Sequence, residues 1–203
     1  WGTGATSRDS GVEPDSQDGV WVKKDAHNYR YLGTIRTTDT TGQCEDSFAK
    51  RLTWNAYNQV DRALYFLPPE NGWSGLGATI QQANNTTRNK VEAVSGLDGN
   101  SIAVDNWVMC SCSAAASNTY MAVGIGESST TVNATGTIVM QVAPSVADFY
   151  FISSAHLKKH KSEGYHYYAM LESNTADGWT ATWFAVGGDA TRKQGGISAI
   201  YRN

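Results

Sequence analysis

Between Thr79 and Arg202 the chain is cut into short runs of strand-forming residues, each closed by Gly, Asn, Asp or Ser, and that punctuation points to an all-β fold. The runs are Thr79–Ala83, Lys90–Val94, Ser101–Ser113, Tyr120–Gly126, Thr135–Val142, Asp148–Ser153, Tyr165–Glu172, Ala181–Val186 and Gly196–Arg202. Asn84-Asn85, Leu97-Asp98-Gly99-Asn100, Ser128–Thr131, Asp177-Gly178 and Gly187-Gly188-Asp189 separate them. Residues of these types tolerate positive φ or bond back to their own backbone, so they turn a chain without helical help. Twenty Gly, seven Trp and ten Tyr against a charged fraction of 17% fit such an architecture better than a helical one.

Upstream the signals are weaker. Residues 1–17 are polar and Gly/Ser-rich without period, and read as a linker or extended arm; order is expected from Asp18-Gly19, with Val20-Trp21-Val22 opening a strand. The chain opens at Trp1, as a part excised from a longer polypeptide would. Tyr29 to Thr37 alternates with period two. Glu45 to Asn58 has Phe48, Leu52 and Ala56 four apart, diluted by β-branched and aromatic residues, and reads as one short helix or a strand. Residues 18–203 show no internal repeat and no change of composition, so one β-sandwich domain is expected.

Several strands look apolar on both faces. Ile138, Met140 and Val142 share one side of their strand and Val139 takes the other. Tyr165, Tyr167, Ala169 and Leu171 oppose Tyr168 and Met170. A sandwich buries one face of a strand, so a second apolar face needs a second cover, and symmetric oligomerisation supplies one. Tyr168, Met170 and Val139 are the candidate oligomer-interface residues on this reading.

Signals for chemistry are sparse. Net charge is −3 and the basic residues are scattered apart from Lys158-Lys159-His160-Lys161, which argues against a nucleic-acid partner. No apolar run reaches the length of a membrane-spanning helix. The nucleophile elbow G-x-S-x-G is absent, and Gly124-Ile125-Gly126 lacks the third Gly and the helix of a dinucleotide loop. His156, His160 and His166 lie among lysines, an unfavourable place for a cation, so the segment reads as a solvated basic loop and no metal is expected. Cys44, Cys110 and Cys112 read as buried free thiols, with a bridge from Cys44 to Cys110 or Cys112 as the alternative. Glu92, Asp105, Asp148 and Glu172 fall on or beside strands and are the carboxylates a glycan hydrolase would need to bring together. Trp73 in a Gly-rich stretch and Trp179 after a turn are the candidate receptor-binding residues, since a solvent-facing indole is a stacking platform for sugars. No catalytic residue and no cofactor is assigned.

Two stretches carry a resemblance. Tyr31-Leu-Gly-Thr-Ile-Arg-Thr-Thr, Gly42-Gln-Cys-Glu-Asp-Ser and Lys50-Arg-Leu-Thr-Trp-Asn-Ala-Tyr-Asn-Gln-Val resemble a segment of C-terminal regions of tailed-bacteriophage virion proteins, with Trp1 and Gln17-Asp18-Gly19-Val20 in the matching places. Glu163-Gly-Tyr-His-Tyr-Tyr-Ala-Met-Leu-Glu and Thr180-Ala-Thr-Trp are similar to the closing strands of trimeric jelly-roll modules of phage fibres, of C1q/tumour-necrosis-factor shape. The cysteines and the Lys158–Lys161 stretch depart from that pattern. The resemblance implies a homotrimeric jelly roll without cofactor, made in the bacterial host cytoplasm and carried on the virion surface in a tail or head fibre. Its expected partners are other virion proteins and a host-surface glycan or protein. A capsid-decorating or cementing protein and a tail-spike glycan hydrolase are the alternatives.

Overall fold

The computed structural model describes residues 14–24, 26–75, 78–113, 120–140, 147, 150–175, 180–185 and 195–202. In chain order the strands are β1 (Pro14–Gln17), β2 (Val20–Lys23), β3 (Ala26–Arg30), β4 (Gly33–Ile35), β5 (Lys50–Arg51), β6 (Thr53–Asn55), β7 (Asp61–Phe66), β8 (Gly72–Gly75) and β9 (Gln81–Gln82). They continue with β10 (Lys90–Ser95), β11 (Ser101–Cys112), β12 (Met121–Glu127), β13 (Ile138–Met140), β14 (Phe151–His160), β15 (Gly164–Asn174), β16 (Ala181–Phe184) and β17 (Gly196–Arg202). A single 3-10 turn, Ala83–Asn85, is the only helical piece among the described residues, and no helix there is long and apolar enough to cross a membrane.

Two sheets face each other in a jelly-roll-like sandwich. One runs β12-β15-β10-β5, with β9 sharing an edge of β15 with β10. The other is built on β11, whose length lets one edge serve two partners. Ile102–Trp107 pair with β17, which then pairs β7, while Met109–Cys112 pair with β16, which then pairs β8. The opposite edge of β11 carries β14 and then β13.

Period two decides what lies between the sheets. Ile102, Val104, Val108, Cys110 and Cys112 of β11 turn inward, as do Tyr168 and Met170 of β15, and all are buried. Trp183, Tyr201, Leu157 and Ile125 fill the remaining space. Polar ties cross the layer: Asn106 Nδ2 donates to the carbonyl of Gly124 at 2.7 Å, and Tyr201 Oη donates to the carbonyl of Val94.

Of the two forms expected of it, the Glu45–Asn58 segment takes the strand, in β5 and β6. Leu52 and Trp54 are buried, and a helix would have placed only one stripe of the segment inward. Among the described residues strand structure starts at Pro14, four residues before Asp18. β1 pairs β2 through a two-residue turn in which Asp18 (φ 51°) and Gly19 (φ 79°) are both left-handed, the geometry Asp-Gly favours in a hairpin. The Lys158–Lys161 stretch is no basic loop, since Lys158 to His160 complete β14 against β11.

The Gly124-Ile125-Gly126 motif lies within β12, and its glycines serve packing. The chain after β12 folds back over this strand, with Ala134 N donating to Ile125 O at 2.8 Å. A Cβ on Gly126 would run into the carbonyl of Ser129 and one on Gly124 into the Asn133 amide. Because the obstacle at Gly126 is backbone, Gly126→Ala is expected to cost about 1–3 kcal/mol, read as a lowered urea midpoint. Gly99→Ala, with open space at its Cβ but φ of 92°, would act only through backbone strain.

Candidate functional site

The candidate carboxylates sit on three different surfaces. Glu92 shares a face of its sheet with Tyr165 and Tyr167, where Tyr165 Oη donates to Glu92 Oε2 and Lys90 Nζ lies 3.2 Å from Oε1. Burial and the bond to Glu92 push the Tyr165 phenol well above its ordinary value. Glu172 belongs to the alternate set of β15 with Tyr168 and Met170 and turns into the core. Asp105 is on the outer face of the other sheet, paired with His156 at 2.6 Å, with both side chains about half exposed. Asp148 lies outside the described residues. Glu92, Asp105 and Glu172 therefore do not flank one cleft, the arrangement a two-carboxylate hydrolysis requires.

Two predicted site residues do meet, in a role the sequence did not suggest. Trp73 is no loop-tip platform: it lies in β8 opposite Trp183, buried, and its Nε1 donates to Glu172 Oε2. Gln81 Nε2 at 3.1 Å and the Asn84 backbone N–H at 3.3 Å donate to Oε1 of the same carboxyl. Removal from water raises the Glu172 pKa above the usual carboxylate range, and these donors pull the other way. A cavity of about 200 Å³ adjoins it, lined among others by Tyr120, Gly124, Asn133, Val139 and Leu171. Trp179 lies outside the described residues.

The candidate interface residues are likewise taken up inside the chain. Tyr168 and Met170 are fully buried between the sheets, so no partner copy can touch them. Val139 packs onto the core opposite Ala155, and its neighbours Ile138 and Met140 turn outward, at 68% and 56% exposure. The pairing of β13 with β14 fixes this choice, because a strand offers its core one face or the other and never both. Leu171, on the far side of β15, is covered by the chain that folds back over β12.

One end of the outer face of the β11 sheet is uncovered. The registers stack three rows there: Ile138 beside His156 and Asp105, Met140 beside Ser154 and Trp107, and Ile152 beside Met109 and Phe184. Ile152 is 62% exposed, and Tyr150 packs on the Phe184 ring at 5.3 Å. The other end of the same face is mixed, with Lys158, His160, Ser101 and Arg202 around the exposed Ile200. Sequence reading missed Ile152 because its neighbours on that side, Ser154 and His156, look like an ordinary solvated alternation.

The histidines are dispersed. His160 Nδ1 lies 3.0 Å from Gly99 O, and His166 Nε2 lies 3.1 Å from Ser162 O. Burial and the nearby Lys161 lower the His166 pKa. No group of three or more His, Cys, Asp or Glu side chains suited to a metal occurs among the described residues. The three cysteines are free; Cys110 and Cys112 are buried as expected, whereas Cys44 is exposed. Burial raises the Cys110 thiol far above its ordinary value, which leaves it inert.

No protein-family model matches this sequence, and no curated protein does. The Glu172 site has a defined pH signature. In the folded chain Glu172 holds its proton to higher pH than in the unfolded chain, so stability falls as pH rises from 4.5 through the elevated value. Urea unfolding across that window is expected to show wild type losing stability relative to Glu172→Gln, and Glu172→Ala should cost about 1–3 kcal/mol by leaving the Trp73 and Asn84 donors unpaired.

Proposed function

We propose that this chain is a non-catalytic structural module of a tailed-bacteriophage virion, working as a homotrimer at the distal end of a fibre or spike and attaching the particle to its host. The observation that carries the reading is the apolar end of the outer β11 face. Ile138, Met140 and Ile152, with Tyr150, Phe184 and Met109 beside them, form a contiguous hydrophobic surface on a sheet whose other side already packs a full core. Surfaces of this kind mark association sites. A second sheet of the same chain covers the inner face only, so the outer one is left for neighbouring copies.

The phage assignment is supported by the sequence resemblance at Tyr31–Thr38, Lys50–Val60 and Glu163–Glu172. Three copies around an axis would present three sets of loops at once, and avidity would offset weak contacts of each set with a host-surface glycan or protein.

Sedimentation velocity at micromolar concentration tests the association directly. The expected species has three times the 22.0 kDa chain mass, and Ile152→Ser combined with Met140→Ser is expected to shift it to monomer with its circular dichroism intact. A folded wild-type monomer would overturn the trimer. For the role on the particle, the purified protein should compete with phage adsorption to host cells; binding to capsids without such competition would instead establish a decorating protein.

A further inference from the structure

We propose that Lys161 and Asn100 form an intramolecular isopeptide bond that staples the end of β14 to the start of β11. The two residues oppose each other across the antiparallel pair. Lys161 N–H donates to Asn100 O at 2.8 Å, directly after the Ser101–His160 step of the register. Asn100 belongs to the alternate set of Ile102 and Val104, which turns inward, and Lys161 is likewise enclosed, at 2% exposure. Directly opposed residues hold their Cβ atoms about 4.5–5.5 Å apart. A lysine chain spans that gap with length to spare, while the asparagine carboxamide needs one bond to meet it.

Both reacting groups are buried and idle. Lys161 Nζ and Asn100 Nδ2 have no hydrogen-bond partner, although nearly every buried polar atom in a folded protein has one. A charged ammonium so placed is costly. Desolvation lowers the Lys161 pKa to about 7, opposed in part by the Glu127 carboxylate, so near neutral pH much of the amine is unprotonated and nucleophilic. Nζ rests 3.5 Å over the Tyr201 ring, in surroundings from which water is excluded.

The chemistry balances without a co-reactant. The neutral Nζ lone pair attacks Asn100 Cγ, and the tetrahedral adduct expels Nδ2. One new C–N bond replaces one old one; a proton leaving Nζ is delivered to Nδ2, and ammonia departs. The transfer runs from one nitrogen to the other within the adduct, and Glu127, held by Lys159 Nζ and Tyr168 Oη, contributes only its field at the amine.

Intact-mass spectrometry of the folded full chain, kept near neutral pH after purification, decides the matter. The expected result is a mass lower than the sequence mass by one ammonia. Digestion should then yield one branched peptide joining Asn100 to Lys161, with no tryptic cleavage after Lys161. Lys161→Arg and Asn100→Ala should restore the full mass. Full wild-type mass, or an ammonia loss mapped to any other residue, overturns the proposal. Because wild type alone gives that answer, a variant that fails to fold does not obscure it.

Discussion

The inward faces of β11 and β15 set the separation of the two sheets, and the rest of the fold adjusts to that distance. Between them lie Trp183, Tyr168 and Tyr201, large rings that leave no room for slippage of either sheet by one residue. The polar atoms carried into this layer are what make the spacing specific. Asn106 reaches Gly124 O, Tyr201 reaches Val94 O and Trp73 reaches Glu172, so each tie joins one sheet to the other at a single geometry. Apolar contact alone would accept several arrangements; a buried hydrogen bond accepts few, because breaking it strands a donor in a dry interior.

That layer also explains the loss of the expected functional residues to structure. An indole needs both apolar surroundings and an acceptor for its N–H, and the core offers Trp73 both at once. The carboxylate that accepts it is thereby withdrawn from any cleft. Glu92 is engaged in a different way, by Lys90 and Tyr165 on the opposite face of the same sheet. Catalytic pairs of carboxylates share a cavity; these are divided by the sheet.

Much of the architecture was legible in the chain. The runs of alternating residues gave β10, β11, β15 and β17 to within a residue or two, because each has one face that is mostly apolar and turn residues nearby. Three features were not legible, each for a physical reason. On β13 both faces are apolar, so the pattern carried no sign of which was inner, and the pairing with β14 settled it in favour of Val139. In Glu45–Asn58 the spacing of Phe48 and Leu52 suits a helix, yet contacts distant in sequence drew the segment into two short strands. Lys161 is the strongest case. Its flanking residues, His160 and Ser162, are exposed, and no local pattern marks a lysine whose side chain turns into the sandwich.

The placement of β17 between β11 and β7 has a consequence for how the molecule is made. A strand encoded by residues 196–202 lies in the interior of its sheet, and its partners lie roughly a hundred residues upstream. During synthesis β7 and β11 must wait beside an empty slot, with Leu64, Ile102 and Val104 exposed to whatever is near. Long-range closures of that kind are slow. Nascent chains arriving together at high concentration would therefore meet one another while still unfinished, and the last seven-residue strand acts as the latch that commits each to its own fold.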